Sequence, residues 1–429
     1  VERAVQRRYL GLTAAIAALA VATTVAGCGS LGIGGSDEVT LKFVAADYNI
    51  DGGDGTKKYW NNLAREFETK NPGVKVDVSI HSWNDVDRKV AEMVEAGKAP
   101  DIAQIGAYAD YVADGKLYAV EEMVSIPTQA NFLAPLAKAG EVDRMQYGMP
   151  FVGSTRLMFY NKDLFEKAGI DSAPKTWDAL AADAKTLKEE GVKYPFALPL
   201  GPEEAQAETM NWMLAAGSGY TDDIGAYSIN SADNIGAFTF LKDKLVGPGL
   251  TGPVAPGKLN RKEAFAAFAK GEVGMLNGHP SLMQQAEKNG VEYEMVPLPT
   301  KDGKQRSAMG VADWMMGFKQ NGHRKEIGKF LDFAYEDANV LAFADEFDLQ
   351  PVTLTATDKM LADSKHQKTR KFLDAMPTAK LYPVGKTSWA KVSENIKQEI
   401  GAAVEPGNTP GGVLGALSRE AAAVDSAQQ

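Results

Sequence analysis

The chain has 429 residues, a formal net charge of -10, 45% hydrophobic and 24% charged residues, and one cysteine, Cys28. That length exceeds one compact core of ordinary size, so two lobes are expected. The acidic balance excludes a nucleic-acid footprint, a lone cysteine excludes an internal disulfide framework, and the dispersed histidines (His81, His279, His323, His366) lack metal-ligand spacing.

Arg3, Arg7 and Arg8 form a basic start, and Leu10 to Val25 is almost unbroken apolar sequence, the pattern of a signal peptide rather than a spanning helix. Val25-Ala26-Gly27-Cys28 resembles the lipobox at which bacterial lipoproteins are cleaved and acylated. Residues 1–27 are therefore expected to be a leader and 28–36 a lipidated, Gly/Ser-rich tether. The expected location is the outer face of the cell membrane, and the Ala-rich composition points to a Gram-positive bacterium. No later segment is long and apolar enough to cross a bilayer.

Val39 to Val44 reads as a first strand, and Thr56 to Thr69 as a helix with Tyr59, Trp60, Leu63 and Phe67 on one face, ended by Asn71-Pro72-Gly73. Val74 to Ile80 alternates as a second strand, Val86 to Ala96 is helical, and Ala99 to Ile105 is a third strand. Strands alternating with helices predict a parallel, doubly wound α/β sheet. Ligands of such sheets sit beyond the carboxyl ends of the strands. That puts Asp47-Tyr48, Ser82-Trp83-Asn84 and Tyr108 on one rim. Further helices are predicted over 177–190, 203–216, 231–244 and 261–270, with short strands over 156–160, 274–276 and 293–297; beyond Thr357 the chain reads as mostly helical.

One stretch is specific. Tyr147-Gly148-Met149-Pro150-Phe151 is followed by Phe159-Tyr160-Asn161-Lys162-Asp163-Leu164-Phe165-Glu166-Lys167-Ala168-Gly169-Ile170 and then by Pro174-Lys175-Thr176-Trp177. With Pro100-Asp101-Ile102, Ala264 to Gly278, Val296-Pro297-Leu298-Pro299 and Met309 to Trp314, it resembles the extracellular solute-binding proteins of sugar importers, the class that includes maltose-binding protein. Local physics accounts for much of the central block. Gly169 suits a left-handed helix C-cap, Thr176 an N-cap, and Trp177 core packing.

The resemblance implies a periplasmic-binding-protein-like fold: two α/β lobes, a hinge and a ligand cleft between them. Lobe 1 would comprise residues 37–151 and 312–347, and lobe 2 residues 152–311 and 348–429. Crossings are expected near Phe151 to Arg156, Met309 to Trp314 and Phe347 to Val352. It further implies capture of a mono- to oligosaccharide by a monomer, with no cofactor, no metal and no catalysis, and delivery to the permease subunits of an ABC transporter.

A sugar needs an aromatic platform for its C–H faces and polar groups for its hydroxyls. Trp314, beside Asp313 at the second crossing, is the leading platform, with core packing as its alternative. Trp389 matches a position where maltose-binding protein carries a cleft tryptophan; a packed helix face is the alternative. Trp83 lies on the rim. Trp212 is a candidate beside Met213 and Leu214, although that setting favours the core, as do those of Trp60 and Trp177. Asp47, Tyr48 and Tyr108 make either cleft contacts or solvated turns. Arg156 either binds hydroxyls or pairs across the hinge. Gln350 is a further candidate. In Asn277-Gly278-His279-Pro280, Pro280 stands where maltose-binding protein has tryptophan, so His279 substitutes or the subsite is missing. A glycosidase needs two carboxylates across the sugar, but no G-x-S-x-G, H-E-x-x-H or P-loop is present. A phosphosugar, polyol or peptide ligand is the alternative within the binding-protein class; an anionic ligand would want several basic groups, and only Arg156 stands out.

Overall fold

The computed structural model describes residues 38–49 and 53–427. The expected leader, tether and lipidated Cys28 lie outside the described residues. Among the described residues no helix is long and apolar enough to cross a membrane.

The first sheet has six strands. Val39–Ala46 runs parallel to Val74–His81 on one side and to Ile102–Ile105 on the other. Phe43 to Ala46 are all buried, as a strand covered on both faces requires. The helix Gly55–Lys70 covers it with Trp60, Leu63 and Phe67, and the Trp60 ring meets Phe43 edge-on at 4.6 Å. Gly310–Gly317 then joins antiparallel to Ile102–Ile105, Met149–Thr155 antiparallel to Gly310–Gly317, and the short Gln350–Pro351 antiparallel to Met149–Thr155. The second sheet has four strands. Tyr194–Ala197 is parallel to Val273–Gly278; Leu157–Asn161 is antiparallel to Val273–Gly278, and Tyr293–Val296 is antiparallel to Leu157–Asn161.

The α/β class is as expected, but the sheets are mixed rather than wholly parallel. The parallel strands all run toward the cleft. A strand that begins just after a crossing, such as Leu157–Asn161 or Gly310–Gly317, starts at the cleft and must run away from it. The chain changes sheet at Arg156, the residue between the strands Met149–Thr155 and Leu157–Asn161.

The helix boundaries are close to those read from periodicity: Trp177–Glu189, Ala205–Ala216 and Arg261–Ala269. Thr176 caps the first of these, its Oγ1 accepting from the Ala179 N–H at 3.2 Å, and Gly169 takes φ +66°. The segment expected to be helical over 231–244 is α-helical only over Ala232–Phe240. It then widens into a π-helical turn over Leu241–Val246, which shifts the side-chain register at the helix end.

Candidate functional site

A cavity of about 210 Å³ opens where the carboxyl ends of both sets of parallel strands meet. From the first sheet come Tyr48, following Val39–Ala46; Trp83, following Val74–His81; and Gly106, following Ile102–Ile105. From the second come Glu203 and Glu204, after Tyr194–Ala197, and His279, after Val273–Gly278. The crossing segments supply the floor through Ser154, Arg156, Asp313 and Leu349. The helix Trp389–Glu399 faces the cavity with Ala390, Ser393, Glu394 and Lys397, the i, i+3, i+4, i+7 stripe of one helix face. An adjoining chamber of about 260 Å³ shares Tyr48, Trp83, Arg261 and His279 and adds Asp47 and Phe265.

Tyr48 is anchored. Its hydroxyl donates to Asp313 Oδ2 and accepts from Gln104 Nε2 at 2.6 Å, while Gln104 Oε1 accepts from the Ala46 N–H at 3.0 Å. The Tyr48 ring meets Trp83 edge-on at 5.5 Å and Phe343 at 4.9 Å. Burial pushes the Asp313 carboxyl up to about 7, and the negative charges of Glu204 and Asp87 add to that against the Tyr48 hydrogen bond. Burial also raises Asp87; Lys397 on the facing helix draws it back down, and its Oδ1 accepts from the Gly106 N–H at 3.0 Å.

On the other wall the charges are paired. Arg156 is only 5% exposed; it donates to Glu204 Oε1 at 2.5 Å and to Ser154 Oγ at 2.8 Å. Arg261 lies 2.6 Å from Glu203 Oε1 and, through Nε, 2.6 Å from Glu204 Oε2. Burial pushes the Glu204 carboxyl up, but the two guanidiniums outweigh it and hold it below the usual range. Arg261 Nη1 also lies 2.6 Å from His279 Nε2. A guanidinium only donates, so Nε2 accepts and the proton sits on Nδ1, which donates to Ser281 Oγ at 2.9 Å. Burial and the two arginines keep His279 neutral, its pKa well below the ordinary value.

Aromatic surface comes from Trp389 and Tyr382, stacked at 5.2 Å with 28° between planes. The Tyr382 hydroxyl is buried and has no hydrogen-bond partner. An indole and a phenol face beside donors and acceptors suit a ligand with apolar C–H faces and a polar rim.

Seven of the sequence candidates border these chambers: Asp47, Tyr48, Trp83, Arg156, His279, Asp313 and Trp389. Four lie in the packing and border neither. Trp314 is fully buried, its ring 5.4 Å from that of Tyr108. The strand alternation, with a bulge between Ala312 and Trp314, turns Asp313 to the cavity and Trp314 to the opposite face. Tyr108 is also fully buried, its hydroxyl donating to the Ala139 carbonyl at 2.6 Å. Trp212 packs among Trp177, Phe196 and Phe240 and donates to Glu208 Oε1 at 2.7 Å. Gln350 is fully buried opposite Gly153.

Sequence reasoning missed Asp87, Glu203, Glu204, Arg261, Tyr382 and Lys397. The rule of strand carboxyl ends would have found the two glutamates, which follow Tyr194–Ala197 and open a helix. Tyr382 sits in an irregular segment with no periodic signal.

A family model described as bacterial extracellular solute-binding protein matches residues 52–340. A binding protein of Brucella abortus is 26% identical over 397 residues, 91% of this chain and 92% of the relative. A diacetylchitobiose binding protein of Streptomyces coelicolor is 28% identical over 197 residues, 44% of this chain and 45% of the relative. Among solved structures, an ABC transporter solute-binding protein from Thermotoga lettingae bound with alpha-D-tagatose superposes with a TM-score of 0.76 at 19% identity, covering 90% of this chain and 100% of the other. A likeness at that identity is one of fold.

Proposed function

The chain belongs to the bacterial extracellular solute-binding protein family, and we propose that this member captures a carbohydrate in the cleft described above and delivers it to the permease of an ABC importer. The observation that carries the reading is the lining itself. The stacked Trp389–Tyr382 pair and the Trp83–Tyr48 pair offer aromatic surface for sugar rings, and Asp87, Asp313 and Ser154 offer hydrogen-bonding partners for hydroxyls. The two chambers together fall within the roughly 300–1,000 Å³ usual for small-molecule sites. The sugar ligands named for the Streptomyces and Thermotoga proteins agree with the reading.

The charge balance speaks against a phosphosugar. Arg156 and Arg261 are already committed to Glu203 and Glu204, so a phosphate would have to displace carboxylates to reach them. We take the lobes to be residues 37–151 with 312–347 and residues 152–311 with 348–429, the ligand binding where they meet. We further propose that Cys28 carries the lipid, that the protein works as a monomer at the outer face of the cell membrane of a Gram-positive bacterium, and that it turns nothing over.

Thermal melting against a panel of mono- and oligosaccharides tests the reading. A ligand that binds only the native state raises the melting temperature by an amount that grows with its concentration. At least one sugar should do so, while glycerol phosphate and inorganic phosphate should not. A panel in which only phosphorylated compounds shift the melt would overturn the carbohydrate assignment.

A further inference from the structure

The cleft carboxylates and cations do not cancel. Five acids border the cavity (Asp87, Glu203, Glu204, Asp313 and Glu394) against three bases, Arg156, Arg261 and Lys397. Glu203 and Glu204 take both arginines. Lys397 is the cation that acts on Asp87 from the facing helix. Glu394 is exposed, where water stabilises its charge. Asp313 is left over. Among the described residues no cation forms an ion pair with it and its hydrogen-bond donor is the Tyr48 hydroxyl; of its charged neighbours, the acids Glu204 and Asp87 work against its charge, and the one that favours it, Arg156, is already paired with Glu204.

An unpaired carboxylate in a closing cleft is costly. Removing an ion from water is unfavourable unless a counter-charge and hydrogen bonds replace the solvent. A neutral sugar hydroxyl supplies a hydrogen bond but no counter-charge. The surroundings of Asp313 suit a cation in a second way. The Tyr48 ring, whose hydroxyl holds the carboxylate, packs against Trp83, and both rings border the cavity. Aromatic faces beside a carboxylate form the kind of pocket that receives an ammonium group.

We propose that the ligand is an amino sugar whose protonated amine sits between the Asp313 carboxylate and the rings of Tyr48 and Trp83. This rests on the carbohydrate reading and narrows it to sugars that carry one positive charge. The amine supplies the charge that the lining lacks, and the neutral remainder of the sugar lies toward Trp389 and Tyr382. Asp313 rather than Trp314 then becomes the residue of the second crossing that reads the ligand.

Titration calorimetry with three matched ligands tests this. Glucosamine, N-acetylglucosamine and glucose share one skeleton and differ at C2 alone, as amine, acetamide or hydroxyl. The amine form should bind at least tenfold more tightly than its acetamide and hydroxyl counterparts. In Asp313→Asn, which keeps an acceptor for Tyr48 but removes the charge, the ratio of amine to hydroxyl affinity should fall to about one. Equal or tighter binding of the neutral forms overturns the amine assignment and leaves the carbohydrate reading standing. So does a wild-type preference for amine that survives in Asp313→Asn. Should the variant fail to fold, the wild-type preference alone decides. If these ligands do not bind but another neutral sugar raises the melting temperature, the amine assignment falls alone; if no sugar does, both readings fall.

Discussion

Tyr382 and Trp314 each bury a polar atom without a hydrogen-bond partner, yet only Tyr382 borders the cavity. Removing the Tyr382 hydroxyl as Tyr382→Phe deletes nothing that the protein itself uses. The unliganded melting temperature should stay near the wild-type value. If a ligand hydroxyl meets that oxygen, affinity should fall by about 1 kcal/mol, roughly fivefold. Trp314→Ala should do the reverse. Truncating a fully buried indole costs about 3–5 kcal/mol, so the melting temperature should drop well below wild type while the folded protein keeps its affinity. Paired melting and calorimetry on the two variants separates the roles; a Trp314→Ala protein that melts like wild type but no longer binds would return that indole to the cleft. The sequence marks the neighbourhood correctly, since Asp313 and Trp314 both fall at a crossing. What it does not carry is which of two adjacent side chains faces the ligand. That depends on strand phase and on a bulge between Ala312 and Trp314, which no single-chain pattern encodes. Arg156 is the converse. Its place at a crossing and an ion pair as one of its two roles were legible, but the partner was not, because Glu204 is 48 residues away.

At the scale of the element, most boundaries follow from local chemistry, and that is why they could be read in advance. Thr176, expected as an N-cap, accepts from the Ala179 N–H at 3.2 Å; Asn161, which the sequence reading did not single out, caps Lys162–Lys167 in the same way, its Oδ1 3.0 Å from the Leu164 N–H. Thr176→Ala should therefore destabilise the fold by about 1 kcal/mol, visible as a lower denaturation midpoint. Ligand affinity should be unchanged, because the cap borders neither chamber. A changed affinity would mean that this helix start is coupled to the cleft. The antiparallel strands were not legible in the same way. Leu157–Asn161 and Gly310–Gly317 look like any other short apolar strands. Their direction is fixed by where the chain re-enters a sheet, a property of the crossing rather than of the residues. The π-helical turn at Leu241–Val246 was equally hidden, since its residues would serve an ordinary helix as well.

At the scale of the whole molecule, the cleft is assembled from both sheets and from the segments that join them. Tyr48, Trp83 and Asp87 stand on one side, Glu204, Arg261 and Trp389 on the other, and Arg156, Asp313 and Leu349 lie in or beside the crossings. A ligand held by both sides has more contacts when the sides approach, and its differential affinity for that arrangement is what can shift the equilibrium toward it. Only a few residues need to change conformation for such a movement. The sheets exchange chain at Arg156, at the entry to Gly310–Gly317 and around Gln350–Pro351, and short joining segments of this kind absorb hinge rotation. Small-angle scattering reads the outcome directly. A fully compact chain of this length would have a radius of gyration of roughly 22 Å. Saturating sugar should lower the measured radius toward that value and shorten the maximum dimension, at ligand concentrations that track the thermal shift. A sugar that raises the melting temperature while the scattering profile stays fixed would mean that it binds one wall alone. In that case, substitutions at Trp389 and at Trp83 should not both weaken it, whereas a cleft that closes on its ligand requires that they do.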